Sequence, residues 1–331
     1  DDVNRGQSSN DSFPTAMHLA AVLLLTRRLL PALADLEAAF RSRAEAFSGI
    51  VKIGRTHLMD ATPLRLSDEM GAFAQMAADA ADRVRAVLPR LRRIAQGGTA
   101  VGTGLNAPPG FAADMAATLS ELTGEAIEPA PSLYEALATN DAMVELAGVL
   151  QAIATAFMKI AGDIRLLASG PRAGLGELVL PANEPGSSIM PGKVNPTQCE
   201  MLMMIGARVI GNAACVAVAA SHGQLQLNVM KAVIADAVLQ SIRLLADGAD
   251  SFRERCVAGL EADPGRISAF VERSLMLVTA LVPAIGYDRA AEVATLAHAE
   301  GLTLLEAIER LGVMPVEEAR LLLDPSRMIG P

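Results

Sequence analysis

The segment at 201–220, MLMMIGARVIGNAACVAVAA, constrains the fold most strongly, because apolar residues lie on every side of the helix that it predicts. Arg208 and Asn212 are its only strongly polar side chains. A helix without a wide polar stripe is buried on all sides, and one chain supplies few helices to bury it. We therefore expect a helix packed among others, some from further copies of the chain, and identify no transmembrane span or secretory signal.

The rest of the sequence also favours helices. Hydrophobic residues make up 51% of the 331 residues, whereas aromatic residues make up only 3% and tryptophan is absent. The core must therefore be built from Ala, Leu, Val, Ile and Met, and few windows alternate as strands do. We expect an all-α fold. The long helical patterns run over about 12–47, 64–95, 140–168, 196–220 and 227–257.

The stretch GLEADPGR at 259–266 is the clearest internal boundary, because a proline and two glycines interrupt the helical pattern there. Beyond it, the predicted helices are short and the turns between them are more polar. The sequence thus predicts a central helical-bundle domain at 1–262 and a small helical C-terminal domain at 263–331.

The charge balance excludes several classes of partner. Lys and Arg number 28 against 37 Asp and Glu, a formal net charge of −9, so neither nucleic acid nor an anionic membrane is an expected partner.

The three cysteines form no CxxC pair, which favours a reducing compartment, and we expect a cytoplasmic protein. No His, Cys and carboxylate residues have metal-ligand spacing, so no metal site is predicted. No organic cofactor is implied either.

The loop GSSIMPGKVNPTQCE at 186–200 concentrates reactive and flexible residues between two helical patterns. The Pro-Gly pair at 191–192 suits a type II turn, and Asn195 suits the cap of the next helix. The N-terminus of that helix would direct unpaired N–H groups towards Lys193 and Ser187, forming an anion site. The alternative is an ordinary connection between helices, with its serines and lysine solvated.

Two further segments hold candidate residues. GRTHLMDATP at 54–63, within a predicted loop at 52–63, contains His57, one of four histidines, which taken alone is more typical of a structural or exposed side chain. NRGQSSND at 4–11 is a polar run before a helix and by itself indicates capping. GGTAVGTGLN at 97–106 lacks the GK[ST] ending of a phosphate-binding loop, so nucleotide binding is not expected there.

Together and in this order, the three segments resemble the fumarase/aspartase superfamily, specifically class II fumarate hydratases. GTGLN, GLGELVLPANEP and RSLMLVTALVPAIGYDRAA are similar to that family too, so the resemblance covers essentially the whole chain. Members carry an N-terminal domain before the point at which this chain opens with DDVN. We therefore expect that an N-terminal portion is missing from the sequence.

The resemblance implies an all-helical fold with a long-helix bundle. In this family the bundles of a homotetramer form a twenty-helix core, and each active site combines segments from three different subunits. The implied enzyme is a hydro-lyase of the tricarboxylic acid cycle. It adds water to fumarate by anti addition to give L-malate, and catalyses the reverse elimination, through an aci-carboxylate intermediate.

The resemblance also implies roles for individual residues. Ser187 is the expected base, and His57, oriented by Glu200, acts at the hydroxyl or the water, either as a direct acid or as a water-activating base. Lys193 and Asn195 are expected to bind the substrate carboxylate that develops charge. The residues expected to hold the other carboxylate are Ser8, Ser9, Asn10 and Thr56.

Substrate choice rests on a few positions. His57 stands where aspartate ammonia-lyases usually have glutamine, which favours a fumarase. Against it, Gln224 replaces a histidine usual in fumarases, Met59 replaces a common glutamine, and Arg5-Gly6 replace a usual Lys-Ser pair. The alternatives are aspartate ammonia-lyase or another fumarate-producing lyase, and a non-catalytic role such as that of structural lens proteins.

Overall fold

The computed structural model describes residues 4–329, and helices dominate this part of the chain, which confirms the expected all-α fold. The helices are α1 (Ser9–Leu24), α2 (Leu30–Ala46), α3 (Leu66–Leu91), α4 (Phe111–Thr123), α5 (Leu133–Ala138), α6 (Asp141–Leu167), α7 (Thr197–Ala220), α8 (Lys231–Phe252), α9 (Pro264–Arg273), α10 (Val282–Ile285), α11 (Tyr287–Glu300), α12 (Leu304–Leu311) and α13 (Val316–Leu322). Short π-helical segments, Leu25–Leu29 and Arg253–Val257, follow α1 and α8.

The described strands are short and form three two-stranded sheets. They are β1 (Val51–Thr56), β2 (Met59–Arg65), β3 (Arg93–Ile94), β4 (Glu128–Pro129), β5 (Leu178–Val179) and β6 (Glu261–Ala262). β1 and β2 form an antiparallel hairpin, so the expectation of a plain loop at 52–63 is wrong. A shift in strand register between Ile53 and Arg55 interrupts the alternation of side chains and hides the strand pattern in the sequence.

One compact unit comprises Asp1–Ala39, Ala74–Arg165 and Ala182–Ala258 and contains most of the long helices. Within it, α7 and α8 pack side by side and α1 packs against α8. Asn212 of α7 is buried and donates hydrogen bonds of 3.0 Å to the Ser241 hydroxyl and the Gln240 side-chain oxygen of α8. A Cβ at Gly206 would lie 2.4 Å from Met158 Cγ, so a larger residue there would displace the Met158 side chain of α6.

α7 buries only one side within this chain. Met204 is 67% exposed and Val218 is 62% exposed, although both are apolar. By length and apolar content, α6 and α7 would each suffice to cross a membrane, as would α9 together with the bent segment Leu275–Ile285. The sequence predicts no such span, because the apolar segment of α7 carries Arg208 and Asn212 and is interpreted as a helix buried among other helices. Length and apolar content alone do not separate a bundle helix from a membrane helix.

The other compact unit comprises Phe40–Phe73, Leu166–Pro181 and Gly259–Pro331. Its core consists of buried side chains from the helices after β6, joined by Ile53 of β1. β5 pairs with β6 in the same unit. The unit that holds the C-terminal helices thus also includes the β1–β2 hairpin and the segment around β5. The domain boundary between residues 262 and 263 stays a prediction.

Candidate active site

The loop before α7 is closed by its own backbone. Gly186 N–H donates to the Lys193 carbonyl at 2.9 Å, and Lys193 N–H donates to the Met190 carbonyl at 3.3 Å. Gly192 has a φ of 80°, which the predicted type II turn requires. A Cβ at Gly186 would lie 2.3 Å from the Lys193 carbonyl oxygen, so no side chain fits at the base of the loop. The segment from 182 to 194 lines an open cavity of about 540 Å³.

Ser187 lies half-buried inside this loop. Its Oγ accepts hydrogen bonds from the backbone N–H groups of Met190 at 3.2 Å and Ile189 at 3.3 Å. Hydrogen bonds to an oxygen favour its anionic form, because the charge is then shared with the donors. The loop therefore places two backbone donors at the Ser187 oxygen, where they would stabilise negative charge on it.

Lys193 and Asn195 are connected to each other. The Lys193 ammonium donates to Asn195 Oδ1 at 2.6 Å, and Asn195 Nδ2 donates to the Gly186 carbonyl at 2.6 Å. The prediction that Asn195 caps the next helix is wrong, because α7 begins at Thr197 with Pro196 as its N-cap and no capping side chain. The Asn195 side chain closes the loop instead, which leaves the first N–H groups of α7 without a side-chain acceptor.

Glu200 lies in the first turn of α7, where a carboxylate interacts favourably with the positive end of the helix dipole. Its Oε1 lies 3.4 Å from Nη2 of Arg165, and both side chains are more than a third exposed. Such an exposed pair contributes little to stability. Glu200 is thus held only loosely within its own chain, and its predicted role of orienting His57 stays a prediction.

His57 lies at the tip of the β1–β2 hairpin, next to Leu58. The two residues have φ values of 56° and 62°, as a two-residue type I′ turn requires. Neither is glycine, asparagine or aspartate, so this turn costs on the order of 1–2 kcal/mol per residue in backbone strain. His57 and Thr56 are exposed, and Leu58 is 75% exposed. The hairpin therefore presents an imidazole and an apolar side chain to solvent at a strained turn.

Ser8, Ser9 and Asn10 form the start of α1. Ser8 is the N-cap, and its Oγ accepts from the Asn10 N–H at 3.2 Å. Ser9 is exposed, and Asn10 Nδ2 donates to the Ala100 carbonyl at 2.9 Å. The capping expected for this polar run is confirmed, and the start of a helix is also a suitable place for an anion.

Asp11 makes contacts to a distant loop that the sequence did not indicate. It is fully buried, and its Oδ2 accepts from the backbone N–H groups of Thr99 at 2.8 Å and Gly97 at 3.1 Å. Its Oδ1 accepts from the Ser8 N–H at 2.9 Å, which completes a capping box. Asp11 therefore ties the glycine-rich loop to the start of α1. One feature of the sequence could have indicated these contacts. The glycine-rich segment interrupts the helical pattern without matching a nucleotide-binding motif, so its backbone N–H groups need another acceptor.

The segment around Gln224, between α7 and α8, is also fixed. Asn228 Nδ2 donates to the carbonyls of Ala219 and Ala220 at 3.1 and 3.0 Å. The Lys231 ammonium donates to the Leu137 carbonyl at 2.6 Å, and burial lowers the pKa of this lysine. The loop between α7 and α8, in which Gln224 replaces the histidine usual in fumarases, is thus held by several hydrogen bonds.

The structure brings the predicted residues together only in part. Ser187, Lys193 and Asn195 share one loop, whereas among residues 4–329 no hydrogen bond or ion pair joins them to Ser8, Ser9 or Asn10 of the same chain. Thr56 and His57 belong to the other compact unit. Within the described part of the chain, no group of three His, Cys, Asp or Glu side chains could hold a metal ion.

Comparisons with known proteins extend the sequence resemblance. The lyase family model matches residues 1–211, and the model of the fumarase C C-terminus matches residues 277–330. The class II fumarate hydratase of Methylorubrum extorquens is 56% identical over 331 residues, covering 100% of this chain and 70% of that protein. The mitochondrial fumarate hydratase 1 of Arabidopsis thaliana is also 56% identical, covering 100% of this chain and 67% of its own.

Solved structures agree with this assignment. The class II fumarase from Schistosoma mansoni superposes with a TM-score of 0.96 at 41% identity, covering 98% of this chain and 71% of that chain. The fumarate lyase:delta crystallin from Brucella melitensis has a TM-score of 0.95 at 44% identity, covering 100% and 72% respectively. Because the match extends along the whole chain in both sequence and fold, the protein belongs to the fumarase/aspartase superfamily, in its class II fumarate hydratase family.

Proposed function

We propose that the protein is a hydro-lyase that catalyses the reversible hydration of fumarate to L-malate. The observation that carries this proposal is the 56% identity, over all 331 residues, to proteins named fumarate hydratase. The geometry of the loop before α7 supports it, because a serine oxygen with two backbone donors and an ammonium on the same loop suit proton removal next to a carboxylate.

The difficult step, in the direction from malate to fumarate, is the removal of a proton from the carbon next to a carboxylate. The product is an aci-carboxylate dianion, and preorganised positive groups at this carboxylate lower the barrier. Lys193 with Asn195 and the uncapped N-terminus of α7 would supply them, and Ser187 would take the proton. Because this loop is largely exposed, we expect it to close over the substrate and exclude water before the reaction.

The remaining residues hold the substrate and complete the acid–base pair. His57, oriented by Glu200, would act at the hydroxyl that leaves or at the water that adds. Ser8, Ser9, Asn10 and Thr56 would bind the second carboxylate through neutral hydrogen bonds. The Asp11 contacts support this role for the start of α1, because they fix the backbone that presents these side chains.

We also propose a homotetramer in which three subunits contribute to each active site. The exposed apolar faces of α7 and α8, with Met204 67%, Val218 62% and Val233 40% exposed, support burial against further copies, because exposed apolar patches are typical of interaction surfaces. A twenty-helix core, with residues 1–262 in the bundle and 263–331 in a smaller domain, is consistent with these faces. The three free cysteines support a cytoplasmic location, and the reaction belongs to the tricarboxylic acid cycle.

The proposed assembly predicts the size of the particle in solution. We expect light scattering coupled to size exclusion to give about four times the protomer mass of 34.5 kDa. The reason is that helices with this much apolar exposed surface are stable only when they are paired. A stable monomer in the absence of detergent would contradict the bundle interpretation, and a requirement for detergent would favour a membrane location for α6 and α7.

The leading alternative is another fumarate-producing lyase, in particular an aspartate ammonia-lyase. Gln224 and Met59 favour it, and His57 disfavours it. We expect ultraviolet absorbance to report fumarate formation from L-malate, but not from L-aspartate, and no consumption of fumarate on addition of ammonia. Turnover of aspartate instead would establish the alternative, and the absence of both reactions in an assembled tetramer would favour a non-catalytic role.

A further inference from the structure

A largely buried group of four charged side chains lies under the hairpin that presents His57. It consists of Lys52 and Arg55 on β1, Glu69 in α3 and Glu177 next to β5. All four belong to the same compact unit. The side chain of Lys52 is 2% exposed, that of Glu177 0% and that of Arg55 14%. The charges of the two cations and the two anions cancel. Such cancellation is needed because a buried charge without a partner is strongly destabilising.

Glu177 connects both cations of the strand. Its Oε1 lies 2.7 Å from Arg55 Nη2, and its Oε2 lies 3.1 Å from Lys52 Nζ. Neither contact has the angles of a directed hydrogen bond, so both are ion pairs. Glu69 differs, because it is a quarter exposed and, among residues 4–329, accepts only from Lys52, at 2.9 Å.

The shape of the strand allows this double contact. Residues three apart normally face opposite sides of a strand, but here β2 carries one extra residue opposite Gly54, and such a bulge strengthens the local twist of the hairpin. A Cβ at Gly54 would lie 2.7 Å from the Thr62 carbonyl oxygen across the hairpin, so the irregularity depends on glycine. Lys52 and Arg55 thereby reach one carboxylate.

Glu177 is itself held in place on both sides. Its N–H donates to the Leu167 carbonyl at 2.8 Å, and its carbonyl accepts from the Asp263 N–H at 3.0 Å. Arg266 of α9 donates to the carbonyls of Leu175 and Gly174, at 2.9 and 2.8 Å, just before Glu177 in the chain.

The Arg55 guanidinium also lies over an aromatic ring. It lies 5.4 Å from the Phe270 ring centroid, and the Arg266 guanidinium lies 4.6 Å from the same centroid. Arg55 therefore interacts with both the Glu177 carboxylate and the Phe270 ring.

We propose that Glu177 is a positioning residue for the reaction, which fixes the direction of the hairpin tip by holding Arg55 and Lys52. Thr56 and His57 follow Arg55 immediately, and their strained turn needs such support. The inference rests on the proposed function only through the roles of Thr56 and His57. It predicts that loss of the Glu177 charge displaces the tip without removing any group that contacts the substrate.

The test compares Glu177→Gln with Glu69→Gln in the assembled enzyme. Both changes remove one carboxylate charge from Lys52, but only Glu177→Gln also removes the partner of Arg55. We expect Glu177→Gln to lower kcat/KM by about 10²-fold, the usual cost of a misplaced group, and Glu69→Gln to have a much smaller effect. Glu177→Asp should recover much of the loss, and it replaces Glu177→Gln if the latter does not assemble. Equal effects of Glu177→Gln and Glu69→Gln would overturn the proposal.

A double-variant cycle separates positioning from general stability. If Glu177 acts through Arg55, Arg55→Gln combined with Glu177→Gln should cost about as much kcat/KM as Arg55→Gln alone. Losses that multiply would overturn the proposal.

Hydrogen exchange of the amides at 51–65 gives a readout that does not depend on turnover. We expect faster exchange in Glu177→Gln than in Glu69→Gln. If the unmodified enzyme does not hydrate fumarate, the proposed function is wrong. The exchange rates at 51–65 would still show whether Glu177 holds the hairpin in place. Unchanged exchange at the hairpin would overturn it.

Discussion

Replacing Ser187 with alanine is expected to lower kcat for fumarate hydration by at least about 10³-fold, because it removes the proposed base. The loop itself should persist, since the hydrogen bond between Gly186 N–H and the Lys193 carbonyl and the turn at Gly192 do not involve the hydroxyl. Steady-state kinetics with fumarate and with L-malate would measure the loss in both directions.

Ser188→Ala is the matched control. It removes a hydroxyl from the neighbouring, more exposed position. This variant should retain most of its activity, and both variants should elute at the size of the unmodified assembly. Near-normal turnover by Ser187→Ala would show that another group removes the proton.

Replacing Lys193 with methionine is expected to lower kcat by about 10²–10³-fold, the typical cost of removing one preorganised donor from a developing oxyanion. Methionine keeps much of the side-chain length but removes the ammonium. The hydrogen bond to Asn195 Oδ1 is also lost, so the thermal midpoint should be measured beside the kinetics.

Two further variants calibrate the effect of Lys193. Lys193→Arg keeps the charge but spreads it over a planar group, so its activity should lie between those of the methionine variant and the unmodified enzyme. Lys159→Met removes the same charge from an exposed position on α6 and should change kcat little. If Lys193→Met behaved like Lys159→Met, the ammonium would not interact with the transition state.

Helices were the part of the fold that sequence patterns predicted well. The apolar content and periodicity of α7 and α8 are local properties, and they correctly indicated long bundle helices. The β1–β2 hairpin escaped prediction, because the register shift at Gly54 and a type I′ turn without asparagine or glycine removed both of its usual signals.

Local turn chemistry was predicted in part. The turn at Gly192 follows from a Pro-Gly pair, whose conformational preference needs no distant partner. Asn195 was expected to cap α7, yet its side chain bonds to the Gly186 carbonyl nine residues earlier. A side-chain cap stabilises a helix by only about 1 kcal/mol, so the hydrogen bond that closes the loop at Gly186 can outweigh it.

By itself the sequence determined the helical class, the family and the residue types available for chemistry, because these depend on composition and on short ordered motifs. Only the tertiary structure decided that Ser187 Oγ faces two backbone donors, that Asp11 anchors the glycine-rich loop, and that Glu177 holds the strand leading to His57. The physical reason is that a buried charge is tolerated only where its partners converge from distant parts of the chain, and this convergence is a property of the packed molecule.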